Sequence, residues 1–579
     1  METIDKKFKN LVLGCQNCKK DFVIESEDFN FYEKIKVPPP TFCSECRFQR
    51  RLIWRNERTL YKRSCNLCER NIISMYNKDV PFPVFCQDCW WGDDWDPTLY
   101  KQDYHFDEIF FNQINELINK VPQFPLFNLR NVNSEYCNGT YQSKNCYLNF
   151  ASDLNEDTGY LYHSIENRNC YDMLGSRKNE NSYELIDCER CYESTNLMLS
   201  EECIDTKYCY DCRNCQNCIG CVGLRNKRFF ILNKKYEKEE YNKKLNECVF
   251  GTTEEKNNFK IEFSNLLKKY PRKSSNSRHS VNSIGDYLSH VKKCVDCFDV
   301  EGPAENLRFV IYGVTNLKDL YDSYAIGMGL ESSYEMMGAG DGLQGSAFCY
   351  YVWSGFNNFY SFLLKNCQNC FACIGLRNKS YCILNKQYTK QEYEELVPKI
   401  IKHMNDTPYI DAKGRIYKYG EFFPSELSPF TYNETIAQEY FPLTKEQAMS
   451  QGYKWKDREE RNYTIDIKNE DIPDNIKEAN NDIIGKVIEC NHKGTCNEQC
   501  TEAFKIIPEE LQFYLRMNLP LPRLCPNCRH YNRLSQRNPL KLWHRHCMKP
   551  NCTNEFETSY SPDRPEIIYC ERCYQQEVY

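Results

Sequence analysis

Residues 209–221 have the sequence CYDCRNCQNCIGC, in which every third residue is a cysteine. A shorter series with the same spacing, Cys367, Cys370 and Cys373, lies further along the chain. A reduced cysteine behaves as a small apolar side chain, so this spacing favours cysteines that stack inside successive coils of a β-solenoid. An iron–sulfur cluster and extra zinc sites are the alternatives, but the CxxxCP that follows CxxCxxC in bacterial ferredoxins does not occur here.

The sequence around these cysteines is repetitive. Residues 214–241 and 366–393 are identical at 19 of 28 positions, and four xCY units begin at residues 145, 169, 190 and 208. Imperfect periods of about 20 residues, without a long helical pattern, are typical of stacked β-coils. We therefore predict two β-rich solenoid blocks, residues 134–235 and 301–387, with Cys, Tyr and Leu pointing inward. Two ordinary Cys-rich β-sheet domains are the alternative.

Two further motifs fall within these blocks. Leu-Arg-Asn-Lys occurs at residues 224–227 and 376–379, where an asparagine in the left-handed conformation would form a turn that caps a coil. A binding loop is the other interpretation. Residues 340–345 match GxGxxG, but the strand-like SAFCYYVW that follows is not the helix that dinucleotide binding requires. We interpret this motif as solenoid turns, and an enzyme site near residues 338–345 is the less favoured alternative.

A second duplication joins the two ends of the chain. Fifteen residues between Cys18 and Cys65 are identical to the residues 482 positions later. After a two-residue insertion, Tyr76, Pro81, Cys86 and Cys89 match residues 560, 565, 570 and 573. This agreement predicts one module at each end, residues 1–100 and residues 482–579. The segments 101–133, 236–300 and 388–481 are predicted to be helical or irregular connectors.

The end modules contain most of the paired cysteines. The chain has 579 residues and 36 cysteines, with no apolar h-region at the N-terminus, so we expect reduced thiols in a cytoplasmic protein. Two CxxC knuckles supply four thiolates to one zinc ion and leave no open position, which predicts about four structural zinc ions. The predicted ligands are Cys15, Cys18, Cys43, Cys46, Cys65, Cys68, Cys86, Cys89, Cys496, Cys500, Cys525, Cys528, Cys547, Cys552, Cys570 and Cys573.

Two points about these ligands stay open in the sequence. The pairs in each module are predicted to combine in chain order, but the 18-residue middle gap also permits a cross-braced arrangement. The mate of Cys500 is either Cys496, which gives CxxxC, or Cys490, which follows an apolar stretch as Cys15 does. His492 is a further candidate.

The stretch LGCQNCKKDFVIESEDFNFYEKIKVPPPTFCSECRFQRR near the N-terminus has two cysteine pairs around an F-x-I, acidic, F-Y and P-P pattern. It resembles the zinc-ribbon (treble-clef-like) domain of small uncharacterised bacterial proteins. The similarity extends more loosely to residues 496–533, and the whole chain resembles Cys-rich zinc-ribbon proteins of uncultured bacteria. The resemblance implies bound zinc, and it implies no further function.

Positive charge is concentrated in the same modules. Residues 511–554 contain eight Lys or Arg, three His and no Asp or Glu, within a chain of net charge −6. A helix opened by the second knuckle would place arginines on one face, where phosphates could bind. The predicted nucleic-acid contacts are Arg47, Arg51, Arg55, Arg63, Arg529, Arg533, Arg537 and Arg545. Neutralisation of the thiolate clusters, or pairing with acidic neighbouring domains, is the alternative role.

These observations predict a multi-domain, β-rich, non-catalytic binding or scaffold protein. RNA or a ribonucleoprotein is the expected partner of the cationic modules, and a protein that binds aromatic faces of the solenoid is the alternative. No apolar run approaches 18 residues, so no membrane span is expected.

Overall fold

A computed structural model of the protein describes residues 9–247, 252–458 and 463–578. The predicted segments 1–100, 236–300, 388–481 and 482–579 each include one or more positions outside these ranges. Within the described residues, a Cys-rich module lies near each end and two β-solenoid blocks lie between them.

The N-terminal module consists of short hairpins that alternate with short helices. Its elements are β1 (Leu11–Gly14), β2 (Asp21–Ile24), α1 (Asp28–Lys34), α2 (Ser44–Leu52), β3 (Tyr61–Ser64), β4 (Asn71–Ser74) and α3 (Gln87–Trp91). Strands β1 and β2 pair antiparallel, as do β3 and β4. The next helix, α4 (Phe110–Lys120), buries Ile114, Leu117 and Ile118, which is the apolar face predicted from their spacing.

Parallel strand pairing stacks the coils of the first solenoid block, and its last strand pairs antiparallel. Its strands are β5 (Asn128–Leu129), β6 (Thr140–Tyr141), β7 (Lys144–Tyr147), β8 (Glu156–Gly159), β9 (Arg168–Tyr171), β10 (Glu180–Ile186), β11 (Thr195–Met198), β12 (Ile204–Lys207), β13 (Gln216–Ile219), β14 (Arg228–Ile231) and β15 (Lys234–Lys235). Lys144 pairs with Glu156 and Glu156 with Arg168, so one coil takes 12 residues. The predicted solenoid is therefore confirmed, with a shorter coil than the xCY spacing suggested.

Each coil of the first block turns four sharp corners. From Gln142 to Leu232, every third residue has a positive φ, for example Asn169 at 49° and Asp172 at 58°. This conformation costs roughly 1–2 kcal/mol for most residues and less for Asn and Asp, which explains why many corners are Asn or Asp. The asparagines of the two LRNK motifs, Asn226 and Asn378, have φ of 56° and 52°, which confirms the predicted turns.

The residue after a corner generally points into the coil, where Ser, Cys and Asn are found together with some Leu and Met. Ser164 accepts a hydrogen bond from the Ser176 N–H and donates to the Tyr162 carbonyl, so a ladder of hydroxyl groups links the coils. Cys209 Sγ lies 3.4 Å from the Lys207 carbonyl oxygen and 3.7 Å from the Cys218 carbonyl oxygen. These thiols are buried side chains with backbone acceptors, and none of those between 203 and 221 joins a described group of metal-ligand geometry.

Two helices separate the blocks. They are α5 (Lys238–Glu247) and α6 (Thr253–Leu267), and β16 (Arg272–Lys273) follows them. The second block consists of β17 (Arg278–Val281), β18 (Ile284–Lys292), β19 (Val295–Gly313), β20 (Leu317–Ile326), β21 (Glu331–Met337), β22 (Gly340–Gln344), β23 (Trp353–Phe359), β24 (Lys365–Phe371), β25 (Ser380–Ile383) and β26 (Lys386–Gln387). It begins before the predicted residue 301, because β17 already pairs in parallel with β18. The GxGxxG motif lies largely on β22, within this sheet.

The tyrosines of the coils do not point inward as predicted. The interior clusters contain Cys, Leu, Val and Met, with no tyrosine among their described members. Tyr160, Tyr171 and Tyr183 instead lie on the outside of the first block, where Phe513 and Tyr514 of the C-terminal module cover them. These outward rings form a contact surface for other parts of the chain.

The chain continues from the second block to the C-terminal module. The elements are α7 (Lys390–Asp406), β27 (Tyr409–Ile410), β28 (Ile416–Tyr417), α8 (Ala437–Tyr440), α9 (Lys445–Ser450), β29 (Ile488–Glu489), β30 (Ala503–Phe504), α10 (Pro508–Met517), α11 (Pro526–Leu534), β31 (Trp543–His546), β32 (Glu555–Thr558), β33 (Ile568–Tyr569) and α12 (Glu571–Val578). Across the three described ranges, none of the helices is both long enough and apolar enough to cross a membrane.

Candidate metal centres

The first two cysteine pairs of the N-terminal module converge on one point. Cys15 and Cys18 lie in the turn between β1 and β2, whereas Cys43 immediately precedes α2 and Cys46 lies in its first turn. The four Sγ atoms lie within 4.8 Å of one another, and Cys18 Sγ is 3.8 Å from Cys43 Sγ. A zinc–sulfur distance of about 2.3 Å implies tetrahedral edges of about 3.8 Å, so these thiols fit one metal ion.

Cys65, Cys68, Cys86 and Cys89 form the second tetrad of this module in the same way. Cys68 Sγ is 3.8 Å from Cys86 Sγ, and the cysteines again flank a hairpin turn and the start of a helix. A backbone hydrogen bond from Arg70 lowers the pKa of the exposed Cys68 to about 6, which favours the thiolate that binds metal. In both tetrads the cysteine pairs combine in chain order, as predicted.

The C-terminal module repeats the arrangement with one exchange of ligand. Cys490, Cys500, Cys525 and Cys528 form one tetrad, and Cys547, Cys552, Cys570 and Cys573 form the other. Cys490 follows β29 as Cys15 follows β1, and it therefore takes the position that the sequence prediction gave to Cys496. The spacing led to the wrong ligand because nine residues separate Cys490 from Cys500, whereas two residues separate Cys15 from Cys18.

One hydrogen bond recurs in all four tetrads. The N–H of the third cysteine donates to the Sγ of the first, at 3.3 Å for Cys43 and Cys15 and at 3.1 Å for Cys86 and Cys65. The corresponding distances in the C-terminal module are 3.2 Å and 3.3 Å. An N–H directed at sulfur stabilises the thiolate, so each tetrad is prepared for a cation. The tetrads could bind metal ions; their geometry does not identify the metal.

Three predicted nucleic-acid contacts of the N-terminal module, Arg47, Arg51 and Arg55, are buried rather than exposed. Arg47 and Arg51 have 2% and 0% of their surface exposed. Arg47 donates to Asp322 at 2.8 Å, and Arg51 donates to Glu335 at 2.6 Å and to Asp322 at 3.4 Å. Arg55, 4% exposed, pairs with Glu57. Asp322 and Glu335 are corner residues of the second solenoid block, so this module docks its arginines on that block.

The C-terminal module uses its equivalent arginines in the same way. Arg529 and Arg533 donate to the two carboxylate oxygens of Asp172, at 2.5 Å and 2.6 Å. Arg537 pairs with Asp187 of the first block at 2.8 Å and with Asp299 of the second at 2.5 Å. Six of the eight predicted nucleic-acid contacts are therefore enclosed by protein. Five of them pair with acidic corners that are distant in sequence, and Arg55 pairs with the nearby Glu57.

Asp172 and Asp322 are equivalent positions of the two blocks. Strand pairing places Asp172 four coils before Gly220, and Asp322 four coils before Ala372. Gly220 and Ala372 occupy equivalent positions in the repeated segments 214–241 and 366–393. The duplication therefore includes both the arginines and the carboxylate that binds them. The docking is crossed: Arg47 and Arg51 of the N-terminal module meet the second block, and Arg529 and Arg533 of the C-terminal module meet the first.

The last two predicted contacts are half-buried and also have internal partners. Arg63 donates to the Asn77 carbonyl at 2.7 Å, and Arg545 donates to the Ser561 carbonyl at 3.1 Å. Asn77 and Ser561 are equivalent when the two-residue insertion is counted, so both arginines fix the same turn. Nucleic-acid binding stays a prediction, without an exposed row of these arginines to support it.

Comparison with known proteins adds no relative. No family model, no curated protein and no solved structure matches this chain. Membership of the zinc-ribbon family therefore stays a prediction that rests on the sequence pattern.

Proposed function

We propose that this protein is a non-catalytic scaffold in which zinc-bound end modules clamp a β-solenoid that binds a protein partner. The observation that carries the proposal is the repeated docking of two arginines on one buried aspartate, in each half of the chain. An arrangement that is duplicated and fully enclosed supports a mechanical role for the modules. The modules hold the scaffold, and the partner binds elsewhere.

The metal would act through the helix that carries the arginines. Cys43 and Cys46 lie at the start of α2, and Arg47 is the next residue. Zinc bound to these thiolates would fix the first turn of the helix and thereby the position of Arg47 and Arg51. Because the binding energy of a structural zinc ion is folding energy, loss of metal would release both the module and its arginines.

The open face of the first block supports a protein partner. Tyr192 and Ile204 occupy successive coils in register and are 39% and 42% exposed. Along the same row, Arg168 and Glu180 precede them and Gln216 follows them. A small apolar centre between polar and charged neighbours has the composition of a protein interface. The parallel strand pairing that joins these coils provides a rigid support.

Site-specific photocrosslinking tests the proposal in the full chain. A benzoylphenylalanine at position 192 or 204, in the native cell, should give a defined protein adduct. Position 261 is the matched control, because Ile261 is 62% exposed and belongs to α6 rather than to a coil of this row. Adducts with RNA alone, or no adduct above the control, would overturn the proposed partner class.

Charge reversal of the arginines distinguishes a structural role of these residues from RNA binding. Arg51→Glu with Arg533→Glu places acids against Glu335 and Asp172, so we expect undocked modules and lower thermal stability. If the arginines bind RNA instead, the variant would keep its stability and lose an affinity that falls steeply between about 50 and 200 mM salt. A salt-titrated RNA-binding assay and a thermal melt of both proteins distinguish the two results.

A further inference from the structure

The loop between Cys490 and Cys500 carries extra metal-binding side chains. His492, Cys496 and Glu498 lie in this loop, and their ligand atoms lie within 4.8 Å of one another and of Cys528 Sγ. Cys496 Sγ is 3.7 Å from Cys528 Sγ, the edge length expected around one tetrahedral ion. Cys528 therefore belongs to two groups at once, the tetrad already described and this second one.

Two atoms of the second group lack partners. His492 Nδ1 and Glu498 Oε2 are buried atoms without a hydrogen bond among the described residues, and they lie 3.2 Å apart. Two buried lone pairs that face each other are unfavourable unless a cation lies between them or a proton binds to the imidazole. A metal ion coordinated by both side chains would satisfy them together.

The N-terminal module shows what the same sulfur does without the extra loop. Cys46 is the counterpart of Cys528, and its Sγ accepts a hydrogen bond from the Asn17 side chain at 3.3 Å. Asn17 lies in the two-residue turn between Cys15 and Cys18, where the C-terminal module has its nine-residue loop. In the C-terminal module, Cys528 Sγ has Cys496 Sγ as a neighbour at 3.7 Å.

Hydrogen bonds to other parts of the protein hold this loop in place. The Asn491 N–H donates to the Arg523 carbonyl at 2.9 Å, and the Gln499 side chain donates to the Asn433 carbonyl at 2.7 Å. Both ends of the ligand-bearing segment are therefore fixed to other parts of the protein, which lowers the entropy cost of binding an ion.

We propose that the C-terminal module binds two divalent metal ions bridged by the Cys528 thiolate. Cys490, Cys500 and Cys525 complete the inner site, and Cys496, His492 and Glu498 complete the outer site. Two sulfurs, one imidazole and one carboxylate suit zinc, which accepts all three ligand types in a tetrahedron. The three outer ligands are only half-buried, so the outer ion would exchange faster than the inner one.

Metal counting on the full chain tests the outer site. Wild-type protein saturated with zinc and freed of loose ions should hold five equivalents, and Cys496→Ser or the double variant His492→Asn with Glu498→Gln should hold four. The matched control is His544→Asn with Glu557→Gln, which removes an exposed histidine–carboxylate pair outside these groups and should keep all five. Four equivalents in the wild type would overturn the proposal and assign the buried pair to a protonated His492. Five zinc equivalents that both loop variants retain would also overturn the proposal.

Cadmium substitution tests the bridge itself. With ¹¹³Cd in every site, the two ions that share Cys528 should show scalar coupling through its sulfur, whereas the tetrads of the N-terminal module should give uncoupled signals. Cys496→Ser should remove the outer signal and collapse the coupling while the inner signal remains. Two uncoupled signals from the C-terminal group would overturn the shared thiolate.

Discussion

Replacing Asp172 with asparagine keeps the shape of the side chain and removes the charge that two arginines share. Asp172 is fully buried, and Arg529 and Arg533 are 5% and 3% exposed. Removing one partner of a buried ion pair typically costs about 3–5 kcal/mol, because the remaining charge stays without compensation. Here two guanidinium groups are affected, so we expect Asp172→Asn to weaken docking of the C-terminal module by at least about 3 kcal/mol.

Hydrogen exchange of the backbone amides of α11 measures this weaker docking. A cost of about 3 kcal/mol raises the population of the undocked state roughly a hundredfold, and the amides of α11 should exchange faster by that factor. Metal content should stay unchanged, because Asp172 is not among the residues of the tetrads. The control is Asp157→Asn, at a corner whose carboxylate accepts a hydrogen bond from Asn145 at the surface. Equal exchange of α11 in both variants would refute the view that buried arginine–aspartate contacts hold the module.

Three further outcomes are expected from the same structure. Replacing Cys43 and Cys46 with alanine should release one metal equivalent and unfold the first half of the N-terminal module, as seen by metal analysis and proteolysis; retained metal would exclude this tetrad. Ser164→Ala leaves the buried Ser176 N–H without its acceptor and should cost about 1–3 kcal/mol, whereas an unchanged melting temperature would argue against the hydroxyl ladder. Burial raises the pKa of Glu439 to about 7, so the folded protein keeps a proton that the unfolded chain releases near pH 4.5, and stability should fall as pH rises from about 4.5 to about 7. Glu439→Gln should flatten that part of the melting-temperature profile; parallel profiles would contradict the assigned pKa.

The sequence predicted the features that depend on local spacing. Cysteines at every third position indicated stacked coils, and the structure places the side chains of Cys209 and Cys212 inside them. Pairs such as Cys15 with Cys18 indicated metal knuckles, and three of the four predicted groups contain the predicted cysteines. Local patterns suffice here because a coil and a knuckle each close within a few residues.

The features that the sequence did not predict depend on distant contacts. Arg47 and Arg529 stand in basic stretches that suggest a surface, but each meets a carboxylate more than 270 residues away. Tyr171 belongs to an xCY unit whose tyrosine is predicted to point inward, but α10 of the C-terminal module covers it from outside. The sequence favours Cys496 over Cys490 as the mate of Cys500, because the length of a loop does not show how it folds back.

The crossed docking has a consequence for the order of events on the ribosome. Arg47 meets Asp322 only after 275 further residues have been made, which takes roughly 15–60 s at ordinary rates of synthesis. The cysteines of the first tetrad, in contrast, are complete once Cys46 has emerged. A metal ion could therefore fold the nascent N-terminal module long before its acidic partners exist. During that interval the metal would keep α2 folded until the second block has been synthesised and can pair with Arg47.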